Sequence, residues 1–362
     1  MLIKRLFNPH NYIHLLKYMC VGVLLLNLVA CGSSSNDLIG NWVSLYDVEP
    51  GGRTDAVSVS VSVNGEDIGN VEDIGYFGTG YNSSDDERYN DWWKYDPNTN
   101  AYTQLADFPN KISGAIAFEC GGDIYVGGGY DGDVRLNDFY KYSIADDSWL
   151  KIDDFPGEAR YGAVAFTVNN KGYVGTGMAA NTVYLKDFYC YDPSTSKWTT
   201  STSFGGTKRT EAVSFVINNV AYVVTGTKSS KVYDFWKYDG IANPDKVVWE
   251  PLRDIYDTDP DNSYDDDYDD IVRYGGVAFV SGGKGYVTTG GSSGSGTVTW
   301  EYDPSDDTWD EKTGFEGASR GGAVSFSLNG IGYVLTGSGY TDIWRFEPDA
   351  EQDDYDNGST VY

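Results

Sequence analysis

A pattern of alternating small and large residues recurs six times along the chain. Its clearest copy is Ala163-Val164-Ala165-Phe166, and the copies start at residues 56, 115, 163, 212, 276 and 323. Successive side chains of a strand point to opposite faces, so each copy predicts a strand with one crowded face and one bulky face. The copies lie 59, 48, 49, 64 and 47 residues apart, and a period near 50 residues is typical of a propeller or a solenoid.

Three more predicted strands follow each copy. The second carries Tyr-Val and ends at glycine, as in Tyr173–Gly177. The third is rich in aromatic residues, as in Asp187–Tyr191, and the fourth carries Tyr or Trp after a turn such as Asp192–Ser194. Six groups of four strands predict a six-bladed propeller, in which small side chains crowd the inner strands and large ones wedge between blades.

Two spaced features resemble the kelch motif. A glycine pair follows the second strand at Gly127–Gly129 and Gly290–Gly291 and is Thr-Gly elsewhere, and an aromatic pair seven positions apart recurs at Tyr142/Trp149, Tyr191/Trp198 and Tyr302/Trp309. The resemblance covers roughly residues 40–348 and implies an all-β, six-bladed kelch-type β-propeller. Kelch propellers serve unrelated functions, so the resemblance alone implies no activity.

The ends of the repeat predict how the ring closes. The sixth copy stops after its third strand, at Phe346–Pro348, and the missing fourth strand matches Gly40–Tyr46 near the N-terminus. We predict that this N-terminal strand closes the ring and removes an exposed sheet edge. The chain then divides into a signal peptide (residues 1–30), a lipidated cysteine with a short tether (31–38), the propeller (39–348) and an acidic tail (349–362).

The first thirty residues differ from the rest in composition. Lys4, Arg5 and Lys17 precede an apolar run that ends at Ala30, and no acid occurs there. This predicts a signal peptide, because the run is too short to span a bilayer. Leu28-Val29-Ala30-Cys31-Gly32 resembles a bacterial lipobox, which implies lipidation of Cys31 and a place in the bacterial cell envelope, in the outer membrane since Gly32 is not Asp. The alternative is an ordinary secreted protein.

Removal of the signal peptide changes the chemistry that is open to the chain. Both histidines, His10 and His14, leave with it, which excludes the copper site of galactose oxidase, a protein that shares the kelch architecture. Histidine zinc sites and Ser-His-Asp triads are excluded for the same reason. The remaining 23 basic and 54 acidic residues give a net charge of −31, which disfavours nucleic acid and anionic lipid headgroups. Membrane contact is therefore expected through the lipid anchor alone.

Five arginines stand three residues before an inner strand: Arg53, Arg160, Arg209, Arg273 and Arg320. One hypothesis is a ring of guanidinium groups that binds an anion at the channel mouth, because these groups grip carboxylates with two hydrogen bonds. It resembles the arginines of kelch domains that bind acidic peptides. The alternative is structural, with each arginine paired to the aspartate that opens a third strand.

Two acidic residues follow these arginines. Asp55 and Glu211 stand two residues after Arg53 and Arg209, where the other blades carry glycine. Because strand side chains alternate, we expect each arginine and its acid on one side of the strand. Some six-bladed kelch proteins epimerise sialic acid with acidic and arginine side chains near the channel. That resemblance implies Glu211 as a catalytic base with Arg209 as its partner.

An insertion after the fourth repeat carries Asp257, Asp259, Asp261 and Asp265, which resembles a calcium loop. Its twelfth position is Tyr268 rather than Glu, and the alternative is a solvated acidic segment. We therefore expect no cofactor, with calcium at this loop as the alternative.

Three functions stay open. The first is an envelope-anchored binding protein that recognises a protein or glycan ligand on the face away from the membrane. This face carries the starts of the inner strands and two insertions, residues 81–90 and 252–271. The alternatives are a sialic-acid-epimerase-like sugar enzyme at the channel mouth and a structural envelope protein.

Overall fold

The computed structural model of the chain describes residues 38–45, 47–64, 71–230, 232–257, 265, 268–291 and 296–353. The predicted signal peptide, Cys31 and the tether up to residue 37 lie outside the described residues, as do Asp259, Asp261 and the tail from residue 354. The chain divides into Met1–Leu38 and Ile39–Tyr362, and the structure below is that of the second unit.

The described residues form six four-stranded antiparallel sheets, each of which is one blade. In chain order the strands of the closing segment and of blades one to three are Asn41–Ser44 (β1), Val57–Asn64 (β2), Val71–Gly78 (β3), Tyr81–Asn82 (β4), Glu87–Arg88 (β5), Trp92–Asp96 (β6), Ala101–Leu105 (β7), Ile116–Cys120 (β8), Asp123–Gly127 (β9), Phe139–Ser143 (β10), Ser148–Lys151 (β11), Val164–Val168 (β12), Lys171–Gly175 (β13), Met178–Ala179 (β14), Val183–Tyr184 (β15), Phe188–Asp192 (β16) and Lys197–Thr200 (β17).

Blades four to six continue the same order. Their strands are Val213–Ile217 (β18), Val220–Val224 (β19), Trp236–Asp239 (β20), Trp249–Pro251 (β21), Val277–Ser281 (β22), Lys284–Thr288 (β23), Thr299–Asp303 (β24), Thr308–Lys312 (β25), Val324–Leu328 (β26), Ile331–Leu335 (β27) and Ile343–Glu347 (β28). β4 pairs with β5 and β14 with β15 as small hairpins between second and third strands. The helices among the described residues are two 3₁₀ turns, Ala180–Thr182 and Tyr268–Asp270, and none is long and apolar enough to cross a membrane.

The inner strands surround a central channel of about 500 Å³, lined by their small residues. Serine hydroxyls on these strands join neighbouring blades. Ser58 Oγ donates to the carbonyl of Ser325 at 2.9 Å, Ser325 Oγ to that of Ala278 at 2.7 Å, and Ser214 Oγ to that of Ala165 at 2.9 Å. The alternation of small and large residues therefore places small side chains where the strands converge, as the pattern predicts.

Large side chains fill the space between blades. A β-carbon added to Gly172 on β13 would lie 2.0 Å from the ring of Phe118 on the preceding blade, so glycine leaves room for that ring. Gly75, Gly285 and Gly332 face Phe326, Phe215 and Phe279 in the same way. The core is thus a set of aromatic wedges, and its stability comes from buried apolar area at each blade boundary.

The N-terminal strand closes the ring as predicted. β1 pairs antiparallel with β28, with Trp42 opposite Phe346, and completes the sheet of blade six. Trp42 is fully buried and packs edge-on against Phe315 at 4.9 Å between ring centres. Beyond β28, the carbonyl of Ala350 accepts a hydrogen bond from Gly40 at 2.9 Å, so the first residues of the predicted tail pack beside the closing strand.

The two described cysteines form no disulfide. Cys120 is buried on blade two, and Cys190 is partly buried on blade three. Burial raises the pKa of the Cys120 thiol to about 12 and also raises that of Cys190, so both thiols stay protonated and unreactive at neutral pH.

Candidate functional site

The five repeated arginines lie inside the protein. Their exposed fractions are between 0% and 2%. In each of them Nε donates to the carbonyl two residues earlier, and Nη1 donates to the carbonyl of a threonine at 2.9 to 3.1 Å. These bonds point every guanidinium group into the body of its blade and away from the channel.

Four of the five also pair with the aspartate that opens the third strand. Two hydrogen bonds join Arg53 to Asp91 at 2.6 and 2.8 Å, and two join Arg160 to Asp187 at 2.7 and 2.9 Å. Arg320 grips Asp342 with the same geometry, and Arg209 Nη2 lies 2.5 Å from Asp234 Oδ1.

Arg273 is the exception, because Val298 takes the aspartate position. Its Nη atoms donate instead to the carbonyls of Asp270 and Val298, both at 2.8 Å. Burial lowers the pKa of Arg273 to about 10. The same burial opposes ionisation of the aspartates in the other blades, yet hydrogen bonds from Arg160 and Arg320 hold the pKa of Asp187 and Asp342 below its ordinary value.

The prediction of an anion-binding ring made of Arg53, Arg160, Arg209, Arg273 and Arg320 is therefore wrong. An external anion cannot reach guanidinium groups that are 98% or more buried and already hydrogen-bonded. The pairing of Glu211 with Arg209 as catalytic partners fails for the same reason, since Arg209 is fully buried against Asp234.

A threonine in a left-handed backbone conformation accompanies each of these arginines. The five residues have φ between 56° and 62°, which is unusual for a β-branched side chain, and they are Thr79, Thr176, Thr225, Thr289 and Thr336. Blade two has Gly128 at this place, and there Ile112 replaces the arginine. In blade five the pair that follows the second strand is Thr289-Gly290. The predicted pair Gly290–Gly291 is therefore one residue out of register.

A closed ring of six backbone hydrogen bonds surrounds the channel entrance. It joins one residue per blade, and each N–H donates to the carbonyl of the preceding blade at 2.8 to 3.1 Å. All six residues have φ between 53° and 62°. We call them the mouth ring: Asp55, Gly114, Gly162, Glu211, Gly275 and Gly322.

Asp55 and Glu211 are the two members of the mouth ring that are not glycine. They belong to blades one and four, which stand opposite each other in a six-bladed ring. A left-handed conformation costs a residue other than glycine about 1–2 kcal/mol. Glycine would relieve that cost, as it does on the other four blades. The two acids are thus held in strained positions at the channel mouth.

Both carboxyl groups have altered acidity. Burial raises the pKa of Glu211, and the charge of Asp55 raises it further. The pKa of Asp55 is also raised because protein surrounds its carboxylate, although part of it reaches solvent, and the charge of Arg88 acts in the opposite direction. Neither carboxylate accepts a hydrogen bond or joins an ion pair within 4.0 Å among the described residues.

Two arginines outside the repeat pattern stand beside the mouth ring. Arg88 on β5 lies between the rings of Tyr81 and Tyr130, 4.8 Å from each ring centre, and its Nε donates to a serine hydroxyl at 3.2 Å. Arg135 lies 5.0 Å from the centre of the Tyr161 ring. Stacking on two rings holds the guanidinium group of Arg88, and stacking on one ring holds that of Arg135, on the rim of blades one to three.

Comparison with known proteins agrees with this architecture. Residues 68–263 match the family model described as the KLHDC2/KLHL20/DRC7 Kelch-repeats domain. The chain belongs to this kelch-repeat family. A solved structure titled "Structure of YjhT" superposes with a TM-score of 0.65 over 83% of this chain and 95% of that chain, at 18% sequence identity, which shows a shared fold. No curated protein sequence matches the chain.

The mouth of this kelch propeller is asymmetric in its chemistry. Blades one to four supply Asp55, Arg88, Arg135, Tyr161 and Glu211, whereas the mouth-ring residues of blades five and six, like those of blades two and three, are glycine. The residues of blades one to four can form hydrogen bonds to a ligand and stack against it, and the glycines of blades five and six leave space for the ligand.

Asp55 and Glu211 are recognisable from the sequence repeat, whereas Arg88 and Arg135 were not predicted as site residues. Both lie in the loops between second and third strands, at positions that no other blade repeats. A search for charged residues that interrupt the repeat would have found them.

The proposed calcium loop lies largely outside the described residues. Asp257 and Asp265 are described, and Asp259 and Asp261 are not. Where the chain is described, the insertion packs into the core, because Tyr268 is 2% exposed and its hydroxyl accepts a hydrogen bond from the backbone of Trp309 at 2.7 Å. The described residues contain no group of three or more side chains that could hold a metal ion.

Proposed function

We propose that this kelch propeller is a binding protein of the bacterial cell envelope and that its ligand, a glycan, binds at the mouth of the channel. One observation carries the proposal. Asp55 and Glu211 occupy strained backbone positions where glycine would be more stable, and their carboxylates have no hydrogen-bond donor among the described residues. Strained backbone positions of this kind are concentrated at functional sites, and a ligand can replace the water around carboxylates that lack a protein partner.

The chemistry of the rim favours a glycan over a protein segment. Unpaired carboxylates accept hydrogen bonds from hydroxyl groups, and tyrosines such as Tyr161 present faces on which a sugar ring stacks. Arg88 and Arg135 add donors beside them. The centre of a protein–protein interface is typically depleted of Asp and Glu, whereas Asp55 and Glu211 stand at this mouth.

The face on which the chain enters the propeller suits such a role. β1 runs toward the mouth face as the outer strand of its blade, so the chain enters the propeller at Ile39 on the opposite face. A lipid on Cys31 would then leave the mouth pointing away from the membrane. Mass spectrometry of the protein from membranes tests the anchor: we expect a lipidated N-terminal cysteine that Cys31→Ser removes. An unmodified, secreted chain would contradict it.

The binding role can be tested without disturbing the fold. The double variant Asp55→Gly/Glu211→Gly gives the mouth ring glycine on all six blades. We expect the wild-type protein to bind selected members of a glycan array and the double variant to lose them, with its thermal unfolding temperature unchanged or raised. The variant Glu119→Gln, at a residue lining the channel, is the control and should bind like wild type. Equal binding by all three proteins would contradict a mouth site.

A second candidate is a sugar epimerase of the kind inferred from the sequence. It is favoured by Glu211, a half-buried carboxyl group with a raised pKa that faces Asp55 across the ring. Such a pair can take a proton from one oxygen of a sugar and give one to another, which opens and closes the ring. Saturation-transfer NMR of sialic acid would show anomer exchange above the buffer rate with wild type, and none with Glu211→Gln. A buffer rate with wild type would rule this out.

A further inference from the structure

The position immediately before the mouth ring also differs from blade to blade. Its six residues, in the order of the blades, are Thr54, Ser113, Tyr161, Thr210, Tyr274 and Gly321. Because each of them adjoins a mouth-ring residue, their side chains decide what borders the channel entrance. Two of the six are tyrosines, on blades three and five.

Four of the five side chains at this position have partners in the protein. Thr54 and Thr210 donate hydrogen bonds to backbone carbonyls at 3.3 and 3.2 Å. Ser113 accepts one from an arginine, and Tyr161 stacks against another arginine. Tyr274 is 42% exposed, and its side chain has no hydrogen bond or ring contact among the described residues. Its ring is therefore open to a partner from outside.

The ring of Tyr274 lies against a strip of backbone without side chains. A β-carbon added to Gly291 would lie 3.4 Å from Cε2 and 3.6 Å from the hydroxyl oxygen of Tyr274. A β-carbon added to Gly321 would lie 3.9 Å from the nitrogen of Gly291 and 4.0 Å from the carbonyl oxygen of Gly275. These three glycines are thus neighbours, and we call Gly275, Gly291 and Gly321 the glycine floor.

The glycine floor leads from Tyr274 to Glu211. The Oε2 atom of Glu211 lies 3.8 Å from the place of a β-carbon on Gly275, so the carboxylate stands at one end of the floor and the tyrosine ring at the other. Gly275 needs glycine because its φ is 61°, but neither Gly291 nor Gly321 has a positive φ. Added β-carbons at Gly291 and Gly321 would meet only ordinary contacts, so the fold does not require glycine there.

We infer that Tyr274 is a stacking residue for a sugar ring and that the ligand is an oligosaccharide that lies along the glycine floor. The inference rests on the proposed function and adds a second sugar position to the same site. One sugar donates a hydroxyl hydrogen bond to Glu211, and a neighbouring sugar places its C–H face on the ring of Tyr274. The missing side chains of Gly291 and Gly321 leave space for these sugars.

The test uses an array that carries glucose, galactose, mannose and N-acetylglucosamine, each as a single sugar and as linear oligomers. We expect wild type to prefer oligomers and Tyr274→Ala to bind them at least about tenfold more weakly, because the stacking area is lost. Single sugars should bind both proteins alike. Tyr274→Phe keeps the ring and should bind within about twofold of wild type.

A second variant tests the floor without changing either end of it. Gly321→Leu puts a side chain where the ligand would lie, at a backbone position that accepts one, so we expect the same loss of oligomer binding with an unchanged thermal unfolding temperature. Tyr233→Ala is the control. It removes a tyrosine of similar exposure, 37%, whose ring packs on Tyr256 at 5.0 Å, and it should bind like wild type.

Several outcomes would overturn the inference. Oligomer binding that survives in Tyr274→Ala and is lost in Asp55→Gly/Glu211→Gly leaves the mouth site in place and removes the stacking residue. An equal loss for single sugars and oligomers in Tyr274→Ala would show that there is no second sugar position. Tyr274→Phe binding as weakly as Tyr274→Ala would show that the hydroxyl group, and not the ring face, holds the ligand. If wild type binds no member of the array, the proposed function fails together with the inference.

Discussion

Two positions only two residues apart on each blade have opposite roles in this propeller. The first carries Arg53, Arg160, Arg209, Arg273 or Arg320, at most 2% exposed and held by bonds inside its own blade. The second is the mouth ring, where Asp55 and Glu211 meet solvent or the channel and lack protein partners. The residue that repeats on five blades stabilises the fold, and the residues that break the repeat form the proposed site.

The backbone explains why such close neighbours diverge. Each mouth-ring residue has a positive φ, so the regular alternation of a strand does not hold between it and the arginine before it. The side chain of the arginine turns into the blade, and that of the acid turns to the mouth. The expectation that Arg209 and Glu211 lie on one side of a strand was wrong for this reason.

The largest expected effect comes from breaking a repeated pair. Asp342→Ala leaves the fully buried guanidinium group of Arg320 without its carboxylate, and we expect a loss of about 3–5 kcal/mol in the free energy of unfolding. Urea unfolding measures it. The control is Asp153→Ala, which removes an exposed pair with Lys197 and should cost at most about 1 kcal/mol. Equal losses in the free energy of unfolding would show that a buried pair stabilises the protein no more than an exposed pair does.

A smaller effect of opposite sign is expected at the mouth ring. Glu211→Gly relieves the left-handed conformation and removes a desolvated charge, so we expect a gain of about 1 kcal/mol in stability together with weaker ligand binding. Thermal unfolding checks the gain. Glu250→Gly, at a strand position on β21, is the matched control and should lose about 0.5–1 kcal/mol. Destabilisation by Glu211→Gly would mean that this side chain supports the fold.

The smallest effect is a difference in pH dependence. The folded pKa of Glu211 is raised, so the folded state binds its proton more tightly, and its contribution to stability falls as pH rises from the ordinary value near 4.3 through the folded pKa. The folded pKa of Asp342 is lowered, so its contribution is lost as pH falls through that value.

Unfolding free energies of wild type and Glu211→Gln across this range separate the two carboxyl groups. The two curves should agree at acid pH, and the variant should become progressively more stable than wild type as the pH rises to neutrality. Parallel curves would mean that Glu211 titrates as it does in the unfolded chain.

The fold could be predicted from the sequence because the residue patterns that produce its strands repeat along the chain. The alternation of Ala163 to Phe166 and the match of Trp42 to the fourth strand are local patterns that recur in phase, and they gave both the six blades and the ring closure. The role of the arginines could not be predicted, because an anion ring and a set of internal pairs leave the same pattern in the sequence. Only the direction of the guanidinium group distinguishes them.

The candidate site was predictable in part. Asp55 and Glu211 stood out because they replace glycine at a repeated position. Arg88 and Arg135 come from loops of unequal length, and their approach to the mouth depends on stacking against Tyr81, Tyr130 and Tyr161, which no spacing encodes. The repeat therefore predicts where the mouth is and leaves its composition to the loops.

The bond from Gly40 to Ala350 also bears on how the gene could be rearranged. The two ends of the propeller lie side by side, so a short linker could join them and the chain could be circularly permuted. New ends opened at an exposed turn such as Asn98–Asn100 would keep every strand pair of all six sheets. A protein fused at those new ends would be presented from blade one, on the face opposite the mouth, without altering the mouth.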